Sequence, residues 1–378
     1  MVRVKRKVFS RMWFVPLVIL LLLDLGTPLF GAPAPAPKSV EELYAELAKL
    51  PEAQRQEAIL AGARKEGKVV VYGATEEEQE NAMKKAFGQL YPGVQVEYFR
   101  GTADAVVSKM LMEVRADRWY WDVTSLGPAY NDMKKENALA THHGLVVSGN
   151  YPKACLGKDW YSRQILPLVI AYNTKLVKPQ DAPKSYADLL DPKWKGKVSI
   201  DANPFNLIAA MAKKWGRKKT EEWLDKFING NQALIRKGHT VQTKLLMVGE
   251  FPVASEVYAY MSEHEINKNK APIDWLIPTD VCQAELPAHA VSKKAPHPYA
   301  ALLYVRFETS PAGQNTYAKF GRIPVHSEAE AVYPRLKQFA SPGLQDRLTY
   351  LTAEDDEYFR QANELIDKYI APRIRGGS

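Results

Sequence analysis

Three apolar, β-branched stretches dominate the first third of the chain: KVVVY from Lys68, VQVEYF from Val94 and WYWDVTSLGPA from Trp119. Runs of helical period separate them. After the first, Met83, Ala86, Phe87 and Leu90 recur at i, i+3, i+4 and i+7; after the second, Val106, Val107, Met110, Leu111 and Val114 do the same. Spacing of that kind gives a helix with one buried stripe. Strand, helix, strand, helix, strand is the grammar of an α/β sheet with mostly parallel strands.

The remaining chain extends the pattern. A polar helical lead-in over residues 39–67 ends at Gly67, and Thr75 with Glu78 fits a capping box. The stretch ILPLVIAYNT (165–174) crosses into a second region, where Ser185 and Asp188 offer another capping box and KVSI (197–200) reads as a short buried strand. Asn203 is expected as an N-cap, with Pro204 at the first helical position. Two helical segments follow, then FPVAS (251–255) and APIDWLIP (271–278). A second crossing, LPAHAVSKKAPHP (286–298), leads to a helix with Ala300, Leu303, Tyr304 and Phe307 on one face, and the chain ends in a helical tail. Roughly 340 residues beyond the N-terminal leader exceed what one hydrophobic core usually supports, so two lobes are expected.

The N-terminus reads as a secretory signal peptide over about residues 1–32. Arg3, Lys5, Arg6, Lys7 and Arg11 precede WFVPLVILLLL, and small residues and Ala-Pro pairs follow. That apolar run is shorter than the roughly 20 residues a spanning helix needs, so a cleaved leader is expected over an uncleaved anchor. Residues 33–65 are spacer and lead-in helix. Removing the leader halves the formal charge of +8. The remaining lysines are scattered among acids, with no basic, aromatic-interleaved stripe of the kind nucleic acid requires. Cys155 and Cys282, in an exported chain, could form one disulfide.

Residues 291–324, VSKKAPHPYAALLYVRFETSPAGQNTYAKFGRIP, with EGKVVVYGAT, YNT at 172–174 and SYADLLDPKWKGKVSI, resemble the periplasmic solute-binding proteins that serve ABC importers. The resemblance covers about residues 66–327. It implies a type II architecture, α/β in class: two lobes, each a mostly parallel sheet flanked by helices, joined by two crossing strands. Lobe 1 is expected over residues 66–171 plus 286–340, lobe 2 over 172–285, and a helical tail over 341–378. The branch most resembled includes ferric-iron binders, in which a glycine-acid pair, a strand and two adjacent tyrosines supply the ligands. Here Gly249 and Glu250 are kept and Tyr258 holds the second tyrosine position, while Val257 stands at the first. The adjacent pair is broken. Tyr260 is not expected to replace it, because residues two apart on a helix do not share a face.

Ligands of such folds sit beyond the carboxyl ends of the strands, in the crevice between lobes. That rule selects the candidate site. Thr75 offers a hydroxyl at a helix N-terminus. Arg100, Gly101 and Thr102 combine a cation, a close backbone approach and a helix start, parts that suit a carboxylate or phosphate, unless Arg100 pairs with Asp104. Ser125 ends the third strand at the same level. Asn203 is a cap first and a ligand contact second, Tyr172 floors the cleft or packs as hinge core, and the family position brings Glu256 and Tyr258 to the cleft. Tyr260, Glu263, His264 and Glu265 read as the solvated continuation of a helix, and Thr141–His143 is not expected to hold a metal.

The resulting expectation is an exported binding protein that takes a small anionic or organic solute and delivers it to an inner-membrane permease, as a monomer and without a cofactor. Ferric iron or an iron chelate is the alternative cargo, with Tyr258 and Glu256 as its donors. Hard, highly charged ions want several oxygen donors at once, and that pair alone is a thin set. An exported hydrolase is the alternative of another class; no G-x-S-x-G, H-E-x-x-H or phosphate-loop motif supports it.

Overall fold

The computed structural model describes residues 38–125, 130–147, 151–345, 347–352 and 354–375. The expected leader lies outside them. Among the described residues the first strands are β1 (Lys68–Gly73), β2 (Gln95–Arg100), β3 (Val123–Ser125), β4 (Gln164–Asn173), β5 (Val198–Asp201) and β6 (Leu234–Arg236). They are followed by β7 (Val253–Tyr258), β8 (Ile273–Leu276), β9 (Cys282–Glu285), β10 (His289–Val291), β11 (Ile323–Pro324) and β12 (Leu348–Leu351).

Two sheets result. The first has the order β10-β3-β1-β2, with β1 parallel to β2 and β3 and only β10 antiparallel. Its central strand is apolar on both faces because both faces are covered. Val69 and Val71 pack on one side with Met83, Phe87 and the helix Pro298–Thr309. Tyr72 packs on the other with Val106, Met110 and Trp121. The helix Glu77–Leu90 buries Met83 and Phe87, and the Phe87 ring meets Tyr304 and Phe307 edge-on at 5.3 and 5.5 Å.

The lead-in divides at Pro51 into the helices Val40–Lys49 and Glu52–Glu66, and Gly67 closes the second with φ +75°. It is part of the core. Tyr44 is fully buried and its hydroxyl donates to the Pro298 carbonyl at 2.8 Å.

The second sheet runs β12-β9-β4-β7-β5-β6, with β8 and β11 also pairing β4. It is mixed. β7, β5 and β6 are mutually parallel, as are β9 and β12, while β4 is antiparallel to β7, β8, β9 and β11. The chain therefore passes between sheets ahead of β4, again over residues 286–288, and a third time between β10 and β11. The expected helical stretch before FPVAS contains β6, whose three residues, Leu-Ile-Arg, are too few to show a period. The tail likewise adds β12 to the sheet before its helix Asp356–Tyr369 packs on the helix Phe205–Trp215, with Phe205 and Phe359 stacked at 5.0 Å.

Local expectations met mixed outcomes. Ser185 and Asp188 do form a reciprocal box, at 3.0 and 3.1 Å. Thr75 does not cap: the helix begins at Glu77 with no side-chain cap. Nor does Asn203, since its helix begins at Phe205 and its N–H instead closes a turn on the Asp201 carboxylate at 2.8 Å. Cys155 and Cys282 are both free, buried thiols.

Candidate functional site

The carboxyl ends of β1, β2 and β3 carry Thr75, Arg100 to Thr102, and Ser125. Thr102 caps the helix Ala103–Arg115, accepting from the Ala105 N–H at 3.3 Å. Gly101 donates its N–H to the Gly73 carbonyl at 3.1 Å, and a Cβ there would stand 3.1 Å from Val106. Arg100 is exposed; its guanidinium pairs with Glu76 at 2.6 Å and donates to the Thr75 carbonyl at 3.2 Å. Ser125, half-buried, lies opposite His289 in the β10–β3 register.

Thr75 has the most informative neighbour. Its hydroxyl accepts from Arg163 Nη2 at 3.1 Å. Arg163 stands just before β4, is 4% exposed, ion-pairs with the buried Glu308 and lies 4.3 Å over the Tyr317 ring. Taking two charges out of water is tolerable only with such mutual compensation.

On the second sheet the ends of β5, β6 and β7 bring Asp201, His239 and Glu256 together. Glu256 is fully buried and accepts from the Asp201 N–H at 3.2 Å. The His239 Nδ1 is 3.8 Å from Asp201 Oδ2. Buried polar groups are nearly always paired, yet Asp201 Oδ2, His239 Nδ1 and Glu256 Oε2 have no hydrogen-bond partner among the described residues. Burial, reinforced by the Asp201 charge, pushes the Glu256 carboxyl well above the ordinary range. Burial pulls the His239 imidazole down against the opposing pull of Asp201.

Tyr258 ends β7 and Tyr260 opens the helix Ala259–Asn269. The Tyr258 ring meets His239 edge-on at 4.8 Å, and the two tyrosine rings are 5.6 Å apart. The expectation that they diverge is therefore corrected. It assumed helical geometry for both, whereas one is extended, and the change of backbone at Ala259 turns the rings toward each other. Burial, then the Glu285 charge, raises the Tyr258 phenol well above its ordinary value.

Two further expectations change. Glu263 is no solvated residue: it is buried and accepts from Trp275 Nε1 at 2.8 Å. Tyr172 packs in the second sheet's core at 3% exposure, and its hydroxyl donates to Asp274 at 3.1 Å. Asn203 is exposed on the turn after β5.

Tyr260 completes a connection between the sheets. The Arg322 guanidinium lies 4.6 Å from its ring centroid and 5.8 Å from that of Tyr317. An unbroken row of side chains thus runs Thr75, Arg163, Tyr317, Arg322, Tyr260, Tyr258, His239, Asp201. Of these, Arg163, Tyr317, Arg322, His239 and Asp201 escaped the sequence reading. Asp201 ends a strand and was open to the same rule that selected Thr75. His239 depended on β6, and the two arginines depend on the packing around Tyr317, which no local spacing encodes.

Solved structures share the fold. The iron-bound HitA of Pseudomonas aeruginosa is 22% identical, with a TM-score of 0.64 over 80% of this chain and 99% of its own. The IdiA (FutA) protein of Trichodesmium, in complex with iron and citrate, is 19% identical, with a TM-score of 0.69 over 80% and 99%. The periplasmic binding protein AfuA of Actinobacillus pleuropneumoniae, with fructose-6-phosphate bound, is 21% identical, with a TM-score of 0.60 over 81% and 98%. At such identities the likeness is one of fold, the two-lobed architecture of periplasmic binding proteins. The sequence itself matches the family described as bacterial extracellular solute-binding protein over residues 130–346, more than half of its length, and the chain belongs to that family, whose members are the solute-binding components of ABC importers.

Proposed function

We propose that this protein captures one small solute between the strand-end turns of its two sheets, closes on it, and presents the closed form to a membrane permease. The observation that carries this reading is the row from Thr75 to Asp201. It joins the carboxyl ends of both sheets and includes four buried polar atoms with no hydrogen-bond partner among the described residues, Arg163 Nε, Arg322 Nε, His239 Nδ1 and Asp201 Oδ2. Hinge closure uses contacts with both lobes at once, and a ligand shifts the equilibrium by its differential affinity for the closed state. In this reading the lobes are residues 66–171 with 286–340 and residues 172–285, the tail 341–378 braces the second, and a monomer exported by the leader at 1–32 works in the periplasm. The site turns nothing over. Thr75, Glu256 and Tyr258 contact solute, Asp201 and His239 join them, and Arg100, Gly101, Thr102, Ser125 and Asn203 shape the rim.

The solute is an organic molecule or an oxyanion. A panel of organic acids, phosphate esters, sugars and ferric citrate, followed by thermal unfolding, tests this. A true ligand at a hundredfold excess over Kd adds about 2.7 kcal/mol. Turnover of generic esters or phosphoesters without any such gain would favour a hydrolase instead.

The facing phenols of Tyr258 and Tyr260 favour ferric iron or its chelate as a second reading. A bound cation displaces protons from acidic ligands, and a tyrosinate-ferric complex absorbs in the visible. Protein that stays colourless with ferric citrate, in wild type and Tyr258→Phe alike, is not using that chemistry.

A further inference from the structure

Resting on the interlobe site proposed above, we infer that Arg322 is the residue that reads an anionic oxygen group, carboxylate or phosphate, on the solute. Among the described arginines that are not exposed, Arg55, Arg163, Arg236 and Arg306 each pair with a carboxylate: Glu52, Glu308, Glu250 and Glu52 respectively. Arg322 pairs with none. Its Nε is buried without a hydrogen-bond partner, and its guanidinium is sandwiched near the rings of Tyr260 and Tyr317. Ring faces attract a cation but satisfy none of its N–H donors. A guanidinium is planar and presents its donors as a fork matched to carboxylate and phosphate oxygens. The two rings therefore hold the cation while leaving its N–H groups to an acceptor beyond the described residues.

Position supports the same role. Arg322 precedes β11, which pairs with β4 beside the crossing into the second sheet, while Tyr260 belongs to the second sheet's strand-end helix. Arg163, the other cation of the row, has its charge matched by Glu308. Arg322 is thus the arginine of the row whose charge no carboxylate among the described residues matches, which leaves it to meet an anion.

The test is calorimetric titration of inorganic phosphate, citrate and glucose 6-phosphate, each charged organic probe beside its uncharged counterpart, triethyl citrate or glucose. At least one anion is expected to bind wild type, and Arg322→Met to weaken it tenfold or more without changing the uncharged partner's titration. Arg322→Lys, which keeps the charge but loses the fork, is expected to retain part of that affinity and guards against a Met variant that misfolds. Unchanged anion binding in Arg322→Met, or a wild type that binds only the uncharged probes, overturns the inference. Glu256→Gln and Thr75→Val separate the two levels. If they weaken binding and Arg322→Met does not, the anion assignment alone falls; if none of the three matters, the solute binds elsewhere and the interlobe reading falls with it.

Discussion

Arg163 and Glu308 show what a buried pair does in this protein. The two are 4% and 1% exposed, and Glu308 also accepts from the Tyr161 hydroxyl. Removing one partner leaves an uncompensated buried charge, so Arg163→Met is expected to cost about 3–5 kcal/mol. Adding Glu308→Gln to the same chain should recover a large part of it, as denaturant unfolding of the single and double variants would show. Glu285 is a second case with the opposite logic. It sits at the end of β9, is held by Asn206 Nδ2 at 3.0 Å, and burial pushes its carboxyl from the ordinary 4.5 up to about 7. Between those values the folded chain keeps a proton that the unfolded chain has released. The contribution is complete below about pH 4.5 and is lost as pH rises through 7, on the order of 3 kcal/mol in all. Glu285→Gln should flatten that fall; melting temperatures from pH 5 to 8 that slope equally in both proteins would contradict it.

Helix and strand junctions explain why particular motifs were readable. The run SPAGQ, used here only as a family signature, has a physical basis. Ser310 caps the helix Pro311–Ala318, accepting from the Gly313 N–H at 3.3 Å. A Cβ on Gly313 would stand 2.1 Å from the Phe307 carbonyl oxygen. Gln314 donates to the Arg163 and Glu308 carbonyls at 2.7 and 3.0 Å and accepts from the Val325 N–H at 2.8 Å, tying the helix to the crossing segment. Overpacking typically costs about 1–3 kcal/mol, so Gly313→Ala should lower stability by that much in urea unfolding. Glu77–Leu90 was legible because several of its turns repeat one buried face, and Pro298–Thr309, read from the face of Ala300, Leu303, Tyr304 and Phe307, proves buried all round over Ala300–Thr309. β6 and β12 were not legible, since three or four residues carry no period and their placement is decided by the strands beside them. Caps failed at Thr75 and Asn203 for a related reason. A long-range partner, Arg163, takes the Thr75 hydroxyl, and Asp201 takes the Asn203 N–H.

At the scale of the molecule, each sheet buries a face of its own, a third buried cluster runs from Tyr72 and Trp121 of the first sheet to Val169, Ala254 and Trp275 of the second, and strand-end turns on each side contribute to one row of side chains. The two-lobed class followed from length, alternation and family resemblance together. The row did not, because Tyr317, Arg322 and Arg163 meet only through packing at the crossing. Closure should be measurable as compaction, since a ligand that contacts both lobes draws them together. Deleting the tail helix Asp356–Tyr369 would remove Ala362 and Leu365, both fully buried, and uncover the apolar face of the helix Phe205–Trp215 on which it packs, and is expected to lower the second lobe's stability by several kcal/mol at about 25 cal/mol per Å² of apolar area. The most direct measurement is titration of a stabilising solute against wild type, Thr75→Val from the first sheet and Glu256→Gln from the second. Both variants should bind at least tenfold more weakly with one site per chain; undiminished affinity in either would contradict capture between the two sheets.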